Sequence, residues 1–522
     1  MRYLLSEIIR FCPDLFRPVL WLNLDRSNSV VAHLNDGNLS VPPSRKFPPK
    51  VLLVLLLLTL PLLNPWVRGD GIGYYAFARA LLIQHNLDFA ADYQHGNEGF
   101  REVRLDAAGN PRSEFRTKTG HLDNHFTIGP AILWAPFLIC THAGVLLARA
   151  LGAHVAADGF SLPYLLAMAV GTLLYGFAAL LISYRVACRF VAQRWALLAT
   201  IAIWWASSLP VYMYFNPSWS HAHSAFVVAL FFWYWLRTRE NRTTAQWLLL
   251  GLIAGLMLNV YYPNVLALLA LLPEAIANYR FALQGPQEKT APFGAVALLQ
   301  HHVLFCAVVL AAMLPTFLTK YYLYGGLLET GYIPLTLWGW TSPSFVALLF
   351  SANHGLFSWT PILLFSVAGL FLFWRKFPAI GLSIGCVLLA FYYFMAAYPD
   401  WAGISSYGNR FFVSFTVFFV LGLATLLETA ASVFHSRRVA SVCLSAVVAV
   451  FIVWNVGLIF QWGAHLIPAR GPVSWRQVAQ NQLHAVPQQF ASQLRSYLLR
   501  RSDTLRQIEQ RDVEQLKRSA KP

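Results

Sequence analysis

Uninterrupted apolar runs, each about as long as a bilayer is thick, recur through this chain and limit its fold more than any other feature. "VLLVLLLLTLPLLNPWV" (51–67) is the first, and comparable runs follow to residue 462. A helix needs about 20 mostly apolar residues to cross the hydrocarbon core. Runs of that length are read as spans rather than as the core of a soluble domain. Composition agrees: 57% of the 522 residues are hydrophobic and 12% charged, against about 25% charged in soluble domains. The expected fold class is an all-α polytopic membrane protein.

The net charge of +16 would raise nucleic acid as a partner for a soluble protein. Here the basic residues sit in short loops and two tails, where topology and lipid headgroups account for them. No RRM-like, helix-turn-helix or zinc-finger pattern is present, so no nucleic-acid partner is expected. Cys12, Cys140, Cys188, Cys306, Cys386 and Cys443 are scattered without a CxxC. They read as buried apolar fillers. Residues 1–50 are polar or mixed and read as a cytoplasmic segment, not a signal peptide.

Lys and Arg in short loops mark the cytoplasmic side. Arg45, Lys46 and Lys50 precede the first run, which therefore crosses outward and leaves Asp70 outside. Basic clusters recur at Arg185/Arg189/Arg194, Arg237/Arg239/Arg242, Arg280/Lys289, Arg375/Lys376 and Arg437/Arg438. The connections between them, near 211–220, 259–264, 319–343 and 397–409, are almost free of cations and face outward. An odd number of crossings must separate Asp70 from Arg185. Of the two apolar stretches between them, 160–184 has the cleaner composition, while 125–152 holds Gly129, Pro130, Pro136 and His142. The parity assigns 125–152 to the outer surface, inside a long first outer loop, 68–159. The remaining spans are 195–213, 219–236, 246–260, 262–277, 297–318, 356–374, 379–397, 410–430 and 439–462. That makes about eleven spans, the tight pair within 243–279 being short, and puts the C-terminus outside. The tail, 463–522, is basic, and Leu494, Leu498, Leu505 and Ile508 recur at helical spacing, as in a surface helix. Its side of the membrane is left open.

Unusual residues collect in the outer loops. Asp70 lies in "RGDGIGYYAFARALL" between Gly69, Gly71 and Gly73, which read as a flexible turn; Asp70 also suits the N-cap of a helix starting at Ile72 or Tyr74. His221 and His223 fall in "SWSHAHSAF", on different helix faces, which argues against a two-histidine metal clamp. Lys320 and Arg410 are nearly the sole cations of the outer hairpin loops. Ionisable residues near membrane depth are functional candidates by default. Asn353-His354-Gly355 separates a short helix from a Pro-containing span, and Tyr407 stands just before Arg410 in "SYGNRFF". No Walker, Rossmann or GxSxG motif occurs, so nothing points to ATP-driven transport or serine hydrolysis.

A first span, an Asp-bearing turn, a long outer loop with a surface-lying apolar helix and then alternating spans resemble the GT-C superfamily of membrane glycosyltransferases. The layout over 50–462 is most similar to the protein O-mannosyltransferase and lipid A aminoarabinose-transferase branch. "RGDGIGYYAFARALL" matches the acidic first-loop motif, "HFTIGPAILWAPF" (with His125) the second juxtamembrane helix, and "SYGNRFFVSFTVFFVLGLA" the Gly-x-Arg opening of a late span. The chain departs at Ser220-His221-Ala222-His223, where many relatives carry a second acidic residue, and at Asn124-His125, near where they carry a Lys-Pro-Pro-like sequence. The resemblance implies three regions: a 1–50 cytoplasmic segment, a 51–462 catalytic transmembrane domain and a 463–522 tail. It implies transfer of a sugar from a polyprenyl-phosphate donor to an acceptor (lipid, glycan or protein) at the outer face of a bacterial inner membrane. Asp70 would then be the general base, with Lys320 and Arg410 on the donor phosphate. No cofactor is required by the motifs, and use of a divalent metal is left open. Two other readings compete: a transporter or flippase of lipid-linked sugars, and a ligase or polymerase using them. A transporter would want polar residues near mid-membrane, paired across repeats. Ligases and polymerases rely on a large late outer loop, and here the large loop comes first.

Overall fold

The computed structural model describes residues 50–283 and 294–519; Arg45, Lys46, Cys12 and Lys289 lie outside the described residues, as does nearly all of the 1–50 segment. Among the described residues there is no β-strand. Helix α1 (Lys50–Thr59) is followed by α2 (Asp70–Arg79), α3 (Ala90–Gln94), α4 (Glu98–Arg104), α5 (Gly129–Ala150), α6 (Leu162–Ala187) and α7 (Gln193–Trp205). The chain continues through α8 (His221–Thr238), α9 (Thr244–Val260), α10 (Leu272–Leu283), α11 (Ala295–Ala312), α12 (Leu314–Tyr324), α13 (Phe345–Phe350) and α14 (Leu356–Trp359). Last come α15 (Ile362–Lys376), α16 (Pro378–Ala397), α17 (Thr416–Ala431), α18 (Arg437–Gly463), α19 (Trp475–Leu483), α20 (Ala485–Leu499) and α21 (Arg501–Ser519).

Among the described residues, seven helical stretches are long and apolar enough to cross a membrane: 129–150, 162–187, 262–283, 295–312, 378–397, 410–431 and 437–463. Six coincide with expected spans. The seventh is α5, which the parity reading laid on the surface. Expected spans 51–67 and 246–260 are the shorter apolar helices 50–62 and 244–260. The other three, 195–213, 219–236 and 356–374, fall on α7, α8 and α15.

Helix ends follow local chemistry. Thr243 and Gln246 form a reciprocal capping box that opens α9. Pro130 and Pro163 stand in the first turns of α5 and α6, where a missing N–H costs nothing. α8 and α17 are buried along most of their length and form the centre of the bundle. α17 packs backbone to backbone with α15: a Cβ on Gly422 would fall 2.1 Å from the Ser366 carbonyl oxygen. Small residues of this kind let apolar helices gain dispersion contact where no water is displaced. A polar triad ties three elements together inside the bundle, with Ser224 Oγ 2.7 Å from Ser414 Oγ and Asn264 donating to Ser224 Oγ at 2.9 Å.

The bundle has two chemically different ends. At one, Phe190 meets Phe373 and Phe377, and Glu428 accepts the Ala192 N–H, near the basic clusters that close α6, α8 and α15. Asp70 lies at the other. The tail joins that end too: Tyr497 and Arg501 donate to the carbonyls of Leu62 and Leu63, and Arg68 pairs with Asp512 at 3.5 Å. α5 runs antiparallel to the first half of α6, with Tyr175 bonded to the Leu133 carbonyl and His142 to Tyr164. One cysteine expectation is corrected. Cys140, Cys306 and Cys443 are exposed on α5, α11 and α18, on outward apolar faces rather than in the core.

Candidate functional site

α2 begins at Asp70, so the expected N-cap role is corrected: Gly69 is the cap and Asp70 the first helical residue. Gly69 has φ 54°, a conformation that favours glycine, and its N–H donates to Asn97 Oδ1 at 3.1 Å. The next two glycines are about space, not flexibility. A Cβ on Gly71 would fall 1.9 Å from Ser218 Oγ, and one on Gly73 2.0 Å from the Phe126 ring. Trp219 Nε1 donates to the Arg68 carbonyl at 3.0 Å. The turn before Asp70 is thus clamped by segment 216–220 on one side and Asn97 on the other.

Arg410, at the mouth of the buried 410–431 stretch, reaches Asp70: Nη1 lies 2.9 Å from Oδ2. Its guanidinium lies over the Trp219 ring at 4.6 Å, and its buried Nε has no hydrogen-bond partner. Ser220 Oγ donates to the Tyr74 hydroxyl oxygen at 2.9 Å, one turn into α2, and the Tyr332 phenol lies beside Tyr74. The His221 ring packs between Tyr212, Trp219 and Tyr261, with Nδ1 unpartnered, as is the Tyr262 hydroxyl. Buried polar groups normally find partners. Unsatisfied nitrogens on Arg410 and His221, beside a partly exposed carboxylate, mark a place for a polar ligand.

The other expected site residues separate into three groups. Tyr407 is one layer behind, donating to Asn455 Oδ1 at 2.8 Å and receiving Trp359 on its ring. His354 (φ 59°) stacks on that same Trp359, and the neighbouring Asn353 is fixed through its N–H to Ser351 Oγ. His223 turns to the opposite face of α8 from His221, against Trp134 and Tyr175. Lys320 is 1% exposed, and its ammonium donates to the carbonyls of Asn124 and Phe126 at 3.0 Å each. Burial pulls Lys320 down to about 7, opposed by the charge of Asp123. His125 bonds Asp123, which also accepts from Tyr324; burial would raise Asp123, but these partners hold it below the usual carboxylate range.

Lys320 therefore secures a strap, 123–126, that holds α2 from the side: Asn124 Nδ2 donates to the Gly73 carbonyl, and Phe126 packs on Tyr74. Sequence reasoning gave no site role to Trp219 and Ser220, inside a quoted stretch, or to Asp123 and Asn124, just before another. Among the described residues no group of three or more His, Cys, Asp or Glu is arranged to hold a metal ion.

A scan of protein-family models finds none that matches the chain, and a search of curated proteins finds no relative.

Proposed function

We propose that the chain is a membrane glycosyltransferase of GT-C layout that moves a sugar from a polyprenyl-phosphate donor to a hydroxyl acceptor. The observation that carries the reading is the Asp70–Arg410 pair at 2.9 Å. It joins a carboxylate from the first outer loop to a cation from a late span, at the bundle end where a lipid-borne donor and a water-side acceptor can meet.

The chemistry divides between the two residues. The acceptor oxygen forms a bond to the anomeric carbon while its proton passes to Asp70. The bond from that carbon to the phosphate oxygen breaks, and its electron pair leaves on polyprenyl phosphate. Anionic charge develops there, so a preorganised donor is needed more than an acid. Arg410 Nη1 holds Asp70, and its guanidinium charge offsets the anion that develops on the phosphate. Lys320 was the other candidate for the phosphate; with its ammonium on two carbonyls, it fits a role in securing the strap better.

In this reading the spans number about eleven, two of them, 50–62 and 244–260, being short. The Asp70 end faces the periplasm of a bacterial inner membrane, and both ends of α5 stay on that side. Its support is that the amino end of α5 meets Val260 through Thr127 Oγ1, while its carboxyl end returns through Gly159 to Tyr75 on α2. The polar residues gathered at one end favour an enzyme over a transporter, whose charges would line mid-membrane. The test is transfer of radiolabelled sugar from polyprenyl-phosphate mannose, glucose and aminoarabinose by purified protein in host membranes, wild type beside Asp70→Asn. Transfer that is lost in the variant supports the reading; equal transfer by both removes Asp70 as base.

A further inference from the structure

A cavity of about 590 Å³ lies on the far side of α2 from Asp70. This volume is typical of small-ligand sites, which combine aromatic walls with a few convergent polar groups. The aromatic walls here are Trp66, whose ring carries the Arg68 guanidinium on one face, and His95, stacked at 3.9 Å on Phe160, over which the Arg79 guanidinium also lies. The polar groups are Gln94, Asn97, Glu98 and, from α21 of the tail, Glu509. Asp92 also lines it, but both its oxygens are taken by Arg79, at 2.6 and 2.5 Å. Arg101 stands among the open carboxylates, so the lining carries no strong charge of either sign. Aromatic faces with amides and carboxylates suit the C–H faces and paired hydroxyls of a pyranose. They do not suit a phosphate.

The cavity borders the turn that precedes Asp70. Ile72 and Tyr75 line it from the face of α2 turned away from Asp70. Its rim at Trp66 and Asn97 adjoins Gly69, whose N–H is held by Asn97. A helix is about 10 Å across, so a molecule seated in the cavity and reaching Asp70 around the end of α2 is longer than one sugar ring. The tail helix that supplies Glu509 is fixed by Asp512 to Arg68 and by Lys517 to Glu102.

We infer that this cavity, closed by the C-terminal helix, is a subsite for a carbohydrate acceptor of at least two sugar units, whose terminal hydroxyl reaches Asp70. The inference rests on the glycosyltransferase reading. It makes the tail a wall of the acceptor site.

The experiment fills the cavity. Gln94, exposed on its wall, is replaced (Gln94→Cys) and alkylated with a bulky maleimide, with the wild-type chain treated alike to control for its own exposed cysteines. Two rates are read from the same polyprenyl-phosphate sugar in host membranes: transfer to the membrane-borne acceptor, and release of free sugar to water. The expected result is a tenfold or greater loss of transfer on alkylation, with sugar release within twofold of wild type. Unchanged transfer overturns the subsite, as does an equal loss of both rates, because the label then acts on donor or fold. If the wild-type protein shows no Asp70-dependent transfer from any donor, the glycosyltransferase reading itself fails and the subsite falls with it. That outcome is distinct from transfer which survives a filled cavity.

Discussion

Asp70 is the first residue of α2, and the Arg410 guanidinium lies 2.9 Å from its carboxylate. Asp70→Asn keeps the shape and removes the proton acceptor. Its kcat is expected to fall about 10²- to 10⁴-fold, the range for general base catalysis, with membrane insertion unchanged. Arg410→Ala removes a charge-assisted contact worth about 1.5–3 kcal/mol. Donor kcat/KM is then expected to drop roughly 10- to 150-fold at about 1.4 kcal/mol per decade. Arg410→Lys should recover only part, since a point charge cannot serve carboxylate and phosphate through separate N–H groups. Lys320 gives a pH prediction. Its folded value near 7 lies below that of an exposed lysine, so between about pH 7 and 10 the unfolded chain binds more protons and stability rises with pH. Below 7 both states are protonated and the folded state carries the full cost of the buried charge. Wild type is therefore expected to gain stability relative to Lys320→Met as pH rises through that window. Parallel unfolding profiles for the two proteins would mean that Lys320 does not titrate there.

At the scale of elements, the site depends on backbones that touch. Gly71 and Gly73 let α2 lie against Ser218 and Phe126, and Gly422 lets α17 lie against α15. The Gly71→Ala change is expected to cost about 1–3 kcal/mol, the usual penalty of overpacking, and to lower activity more than stability because it pushes the Asp70 turn off Ser218. A thermal scan beside a transfer assay separates the two effects. Glycines flanking an Asp read in sequence as flexibility; only the packing makes them a rigid seat. The tail is a second case. Leucine spacing marked a surface helix, but the contacts of Tyr497, Arg501 and Asp512 with residues 62–68 depend on particular side chains. Arg501→Ala with Asp512→Ala is expected to speed tryptic cleavage of the tail in intact membranes, and an unchanged digestion rate would argue against docking.

For the whole molecule, the proposed arrangement predicts that cysteines placed at His121 and Ala157, on either side of α5, are both labelled by an impermeant maleimide from the Asp70 side. Access to one of them only from the opposite side would make α5 a crossing and reverse the assignment of Arg185. The chain by itself determined that its structure is helical and membrane-spanning, because bilayer thickness and the need to satisfy backbone groups leave little else for such apolar runs. It also marked Asp70 and Arg410, because an ion is costly at a membrane boundary and stands out against the apolar sequence around it. Tertiary structure alone decided that these two meet, that Lys320 turns instead to the Asn124 and Phe126 carbonyls, and that the tail returns to the Asp70 end. The physical reason is that hydropathy reports only whether a residue prefers lipid or water. Which cation reaches which carboxylate depends on how helices distant in sequence pack, and that is set by close backbone contacts and single hydrogen bonds that leave no periodic trace in the chain.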